Sequence, residues 1–221
     1  MSIPSRSRPA LAARLRVLAL TLLVVIATTL ASSVAPVAAV TTTPYGTNLV
    51  KNPSFEAGAA SANGYTIVPI PSWGTVVGAT VVGYGTSGFP TKKQGRHVSG
   101  GHKFYTAGPP NPLCGYAYQT IQIVGRDVAI DTGHVELVMS ARVGSNVHDA
   151  FVDLKMFDTL AGVTSEVGFS KHATNRKMLL GSVSQIIPAT TRSVQIHLIA
   201  PNSAGYCDAY FDKINVKLVH I

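Results

Sequence analysis

From Tyr116 onward, apolar residues recur at every second position in short runs: Tyr116–Val124, Val135–Val143, Ala150–Phe157, Val163–Phe169, Met178–Ile187, Ser193–Ala200 and Tyr210–Val219. A period of two sends side chains to alternate faces of a strand, so each run predicts a strand with one buried face. Clusters of Gly, Pro, Asn and Asp separate the runs, as turns require. Ala79–Tyr84 reads as another strand, and no segment holds a long helical period. Many short strands at this spacing predict an all-β chain folded as a β-sandwich or jelly roll.

The last run contains a conflict. Ile214, Val216 and Leu218 share one side, and the same parity carried backwards places Asp212 and Tyr210 on that apolar side. An ionised carboxylate there is costly without a compensating group. A metal ion, a basic side chain, or backbone amides at a bend could each supply it. A hard cation such as calcium suits carboxylate and carbonyl oxygens.

Residues 1–39 read as a targeting segment. Arg6, Arg8, Arg14 and Arg16 precede the apolar run Val17–Leu30, and Val37-Ala38-Ala39 offers small residues at a cleavage point, as in a secretory signal peptide. The alternative is an uncleaved anchor, for which the run is short. This segment carries 4 of the 18 Lys+Arg and none of the 10 Asp+Glu, so the remainder has a charge of 14 minus 10, or +4, against +8 overall. Such a mild excess does not favour a nucleic-acid partner. After cleavage no membrane span is expected, and the localisation implied is secreted or cell-envelope.

The remaining residues suit one domain, with 40–47 as a short leader and 48–221 as a single β-sandwich. Cys114 and Cys207, the 2 cysteines of the chain, read as a disulfide if the protein is exported, or otherwise as two free thiols. Near the start, Asn48-Leu49-Val50 predicts a brief strand before a proline turn and Phe55-Glu56, and the prolines of Ile67–Trp73 predict an extended segment. Gly85–Gly101 predicts a long, basic, glycine-rich loop.

Four stretches together resemble a known family. They are Asn48-Leu49-Val50-x-Asn52-x-Ser54-Phe55-Glu56, Tyr118-Gln119-Thr120-Ile121, Ile187-Pro188-Ala189-Thr190-Thr191-Arg192-Ser193-Val194 and Ala209-Tyr210-Phe211-Asp212-Lys213-Ile214. In this order they look like the galactose-binding-domain-like jelly rolls, which include many carbohydrate-binding modules. The resemblance implies a structural calcium ion held by Glu56, which ends the first motif, and Asp212 in the last. Lys213, where that family often has Asn, leaves a salt bridge as the alternative.

Sugars are bound by aromatic rings stacked on pyranose faces and by polar groups that reach hydroxyls. Strand parity sends Tyr116, Tyr118, Gln122, Arg142, Phe151, Asp153, Gln195 and His197 outward, as one candidate ligand face or as an ordinary solvated one. A second candidate lies at the loop end, with Tyr84, Phe89, His97, His102 and Tyr105. Trp73 is either a stacking platform or core. No nucleophile elbow, zinc-binding helix or phosphate loop is present in the sequence. The expected function is therefore an exported, non-catalytic module whose partner is a glycan or polysaccharide. The alternatives are a protein-interaction domain using the basic loop Lys92–His102 and a polysaccharide hydrolase built on two carboxylates.

Overall fold

The alternating runs fold as strands close to where their period places them. The computed structural model describes residues 41–76, 78–109, 114–146, 148–201 and 207–221, so the expected signal peptide lies outside the described residues. Among the described residues ten strands and two short helices follow in order: β1 (Gly74–Val76), β2 (Thr80–Gly83), α1 (Lys92–His97), β3 (Lys103–Thr106), β4 (Tyr116–Gln122), α2 (Asp127–Asp131), β5 (Val135–Ser145), β6 (Asp149–Phe157), β7 (Val163–His172), β8 (Met178–Ile186), β9 (Ser193–Ile199) and β10 (Ala209–His220). They form two five-stranded sheets, β1-β4-β9-β6-β7 and β2-β3-β10-β5-β8. Every named pairing is antiparallel.

The core lies between the sheets. Leu137, Met139, Ala141 and Val143 of β5 meet Val152, Leu154 and Met156 of β6, Val194, Ile196 and Leu198 of β9, and Ile214, Val216 and Leu218 of β10, all fully buried. This is the alternating half of each run, removed from water as its period requires. Cys114 and Cys207 form a disulfide with their Cα atoms 5.2 Å apart across 93 residues of sequence. Cys114 precedes β4 of one sheet and Cys207 precedes β10 of the other, so the bond joins the two layers.

The parity of β10 breaks at a bulge. Its register against β5 shifts between Asp212 and Asn215, and Lys213 adopts φ +53°. An extra residue moves everything before it to the opposite face. Phe211 therefore shares the core with Ile214, whereas Tyr210 and Asp212 leave it for the outer face, contrary to the parity read from sequence. The backbone of Ile214, displaced from the ladder, is satisfied elsewhere: its N–H donates to Pro53 O at 2.9 Å and its carbonyl accepts from Asn48 Nδ2 at 2.9 Å. Asn48 Oδ1 also accepts from Val216 N at 3.0 Å. The Asn48–Ser54 segment thus clamps the bulge and is not a strand.

The leader also belongs to the domain. Thr43 exchanges two hydrogen bonds with Val124, and Tyr45 forms a parallel bridge with Leu218. The Arg126 guanidinium sits 3.9 Å over the Tyr45 ring. Among the described residues no helix is long and apolar enough to cross a membrane.

The expected loop Gly85–Gly101 contains α1, whose start is a capping box: Thr91 accepts from Gln94 N, and the Gln94 side chain accepts from Thr91 N. The Thr91-Lys92-Lys93-Gln94 pattern carries that signal, although a one-turn helix has no periodicity to reveal it. Around α1 a second apolar cluster forms from Val82, Tyr84, Phe89, Val98, Phe104, Met178 and Tyr210. It covers part of the outer face of the β2-β3-β10-β5-β8 sheet, whereas Leu180 and Ile186 of β8, on the same side as Arg142 and Glu136, stay exposed.

Candidate ligand face

The outer face of the other sheet carries no such cover. Pairing across its five strands aligns Gly74, Tyr118, His197, Asp153 and Gly168 in one row. The row on one side is Tyr116, Ile199, Phe151 and Ser170, and on the other Thr120, Gln195, Lys155 and Glu166. The rings of Tyr116, Tyr118 and His197 form a triangle with centroids 6.1–6.2 Å apart, and Tyr118 stacks on His197 at 26°. Both ends of the central row are glycine for a steric reason. A Cβ on Gly74 would overlap the Tyr118 ring, and one on Gly168 would overlap Asp153 Oδ1.

Polar groups continue along the strands. Gln195 Nε2 donates to Thr120 Oγ1 at 2.8 Å, and Lys155 faces Glu166 at 3.6 Å. Beyond them Thr120, Gln122, Phe157, Arg192, Ser193 and Gln195 line a groove of about 500 Å³. Burial, with Lys155 close by, holds the His197 imidazole below its usual pKa, and its Nε2 is buried without a hydrogen-bond partner. Burial, with the Glu166 charge close by, pushes the Asp153 carboxyl up. Half-buried rings beside amides, a hydroxyl and paired charges can take a flat ligand with one apolar face and hydroxyls around its rim.

Of the eight residues expected on this face, Tyr116, Tyr118, Gln122, Phe151, Asp153, Gln195 and His197 share it. Arg142 does not: β5 belongs to the opposite sheet, where Arg142 is paired with Asp212. Parity gives the side of a strand but not which sheet it joins. Thr120, Lys155 and Glu166 complete the face and follow from the same alternation once strand order is known.

The loop-end candidate does not hold together as a surface site. Tyr84 is buried against Gly95 of α1, Phe89 is buried against Gly64 and the rings of Phe104 and Tyr210, and Tyr105 is fully buried in the main core, its hydroxyl donating to Gly115 O at 3.1 Å. Burial of large rings outweighs their use at a surface. His97 and His102 stay exposed. His97 lines a groove of about 350 Å³ with Lys93, Lys177, Met178 and Leu179. Trp73 is core, packed 5.3 Å from Phe55 with Nε1 donating to Asn52 O at 3.2 Å.

Asp212 is completely buried under Gly100. Its Oδ2 accepts from Tyr84 OH and its Oδ1 from Lys213 N, both at 2.7 Å. Burial pushes it up to about 7, against the lowering effect of those two donors. Glu56, whose charge also bears on Asp212, is held by the next glycine along. Its Oε1 accepts from His102 N at 2.8 Å and Lys103 N at 2.9 Å. A Cβ on Gly100 would overlap Asp212 Oδ2, and one on Gly101 would overlap Glu56 Oε1. This two-glycine cradle and its hard oxygen donors fit calcium chemistry, in which carbonyls and water complete the shell. Among the described residues no third His, Cys, Asp or Glu joins them. The charge of Lys213 also favours the ionised Asp212, while Lys103 Nζ donates to two backbone carbonyls, Glu56 O at 2.6 Å and Gly58 O at 2.7 Å, rather than to either carboxylate.

No protein-family model matches the chain, and no curated protein does. Solved structures with similar arrangements include the CBM22-1 xylan-binding domain from Paenibacillus barcinonensis, at TM-score 0.42 and 10% identity over 74% of this chain and 99% of that one. A CBM61 module in complex with beta-1,4-galactotriose has TM-score 0.41 and 13% identity over 79% and 99%. The enzymatically active domain of bacteriophage CBA120 tailspike protein 4 has TM-score 0.46 and 12% identity over 78% of this chain, which spans 21% of that protein. Identities this low carry no ligand from those proteins to this chain.

Proposed function

We propose that the protein is an exported, non-catalytic jelly-roll module that binds a glycan or polysaccharide on the open sheet face. The observation that carries this reading is the row Gly74-Tyr118-His197-Asp153-Gly168, in which terminal glycines leave room for a ring and a carboxylate beside a triad of half-buried rings. Binding of the chain from Val40 to a glycan array, compared with that of Tyr118→Ala, tests it. A coherent glycan class lost in the variant supports the reading. No binding by the folded protein defeats it, and turnover of a polysaccharide would replace it with the hydrolase.

Calcium between Glu56 and Asp212 is part of the same proposal, as a structural tie between the start and the end of the domain rather than a ligand contact. The burial of Asp212 and the nearby Glu56 charge support it, since a divalent cation would favour both ionised carboxylates. A melting temperature raised by calcium and restored by EDTA is the expected result; no change would defeat the ion and leave Lys213 as the cation whose charge bears on Asp212. The competing protein-interaction reading rests on the basic groove at Lys93, His97 and Lys177. It predicts partner binding that weakens with salt and survives Tyr118→Ala.

A further inference from the structure

The four outer edges of the sandwich are not guarded alike. Edge strands expose unpaired N–H and C=O groups, and proteins blunt them by shortness, charge, proline, bulges or cover. β1 spans only Gly74–Val76, and the short β2 is capped where Ser61 bridges Val82. β7 carries Glu166, Lys171 and His172 and faces a bulge at Met156/Phe157. β8 has none of these devices. Its nine residues, Met178-Leu179-Leu180-Gly181-Ser182-Val183-Ser184-Gln185-Ile186, include no charge, histidine or proline, and β5 is its only sheet neighbour. Among the described residues its backbone makes no hydrogen bond outside that ladder. Three large apolar residues are exposed on it, Leu179 at 40%, Leu180 at 56% and Ile186 at 54%, the last two on the outer face.

We infer that β8 is a self-association edge, occupied by β8 of a second copy in antiparallel register about Ser182. This register sets Met178 of one copy opposite Ile186 of the other, Leu180 opposite Ser184, Gly181 opposite Val183, and Ser182 opposite itself. It covers the exposed Leu180 and Ile186 and brings no like charges together. The bases that flank the start of the strand, Lys93, His97 and Lys177, sit at one end only, so the two sets lie at opposite ends of the shared pair, about 27 Å apart at 3.4 Å per residue. Glu136 is paired with Ile186 at the other end, so each basic end approaches an acidic one. The joint is isologous, as a two-fold dimer requires. A two-fold relating antiparallel strands runs perpendicular to the sheet, so both open faces look the same way. A surface polymer would then meet two binding faces at once, with the avidity that implies.

Sedimentation velocity of the purified protein over a concentration series tests the inference. A concentration-dependent dimer is expected, with amides of 178–186 gaining hydrogen-exchange protection as the dimer forms. Ser182→Lys, at an exposed position that the monomer tolerates, places two lysines face to face and weakens the dimer about tenfold or more; Ser182→Thr retains it. A wild type that stays monomeric throughout overturns the inference. So does a dimer that Ser182→Lys leaves intact in a variant with unchanged melting.

Discussion

The two outer faces of the sandwich obey the same alternation and end in opposite states. On the β2-β3-β10-β5-β8 sheet the outward Val82, Phe104, Met178 and Tyr210 are apolar or aromatic and are buried together with Tyr84, Phe89 and Val98. On the other sheet the outward positions are Tyr118, His197, Asp153, Gln195 and Lys155, and the face stays open. An apolar outer row draws cover from the chain, whereas a row of half-buried rings among polar groups remains wet. The covered cluster adds buried apolar area, whereas the open face leaves its rings and polar groups in reach of solvent.

The largest expected effect removes the bond between the layers. Replacing both Cys114 and Cys207 with alanine should cost on the order of 5 kcal/mol by the chain-entropy account, read as a lower urea midpoint. Sugar binding by the molecules that remain folded should survive. Slightly smaller is the effect of opening the cover. Phe104→Ala should lose roughly 3–4 kcal/mol while leaving ligand affinity unchanged, and an equal loss of affinity would show that the faces are not independent.

Next comes Asp212. Between its ordinary value of 3.8 and about 7, the folded protein holds a proton that the unfolded chain releases. That contribution to stability is complete below about pH 4 and fades as pH rises through 7. In EDTA, urea midpoints should therefore fall over this window. Asp212→Asn should flatten the fall and gain on the order of 3 kcal/mol at pH 8. Calcium should produce the same flattening in the wild type if the cradle binds it. The smallest effects belong to the open face. Tyr118→Ala should weaken glycan binding by about 1–2 kcal/mol, or roughly tenfold, with little change in melting. Gly74→Ala should push the Tyr118 ring aside and weaken binding less, measured by calorimetry on the same ligand.

Much of this was legible in the alternation itself. The long strands, the buried half of each and most of the candidate face follow from side chains pointing in turn to opposite sides. Tyr116, Tyr118, Phe151, Asp153, Gln195 and His197 were therefore placed together correctly. Arg142 was not, because an outward residue looks the same whichever sheet its strand joins. Tyr84, Phe89 and Tyr105 looked like loop aromatics, since nothing local marks that Tyr84 and Phe89 join a second buried cluster and that Tyr105 turns into the main core.

Asp212 shows where sequence and tertiary structure divide. Periodicity alone determined that a carboxylate had to be accommodated in β10 and that it required partners. Only the tertiary structure decided how. A single residue at φ +53° moves Asp212 to the other side of the sheet, where Tyr84 and Gly100 receive it. A bulge is stable only when its freed backbone groups are met elsewhere. Here they are met by Asn48 and Pro53, more than 150 residues earlier in the chain, and no local reading of a strand can anticipate that.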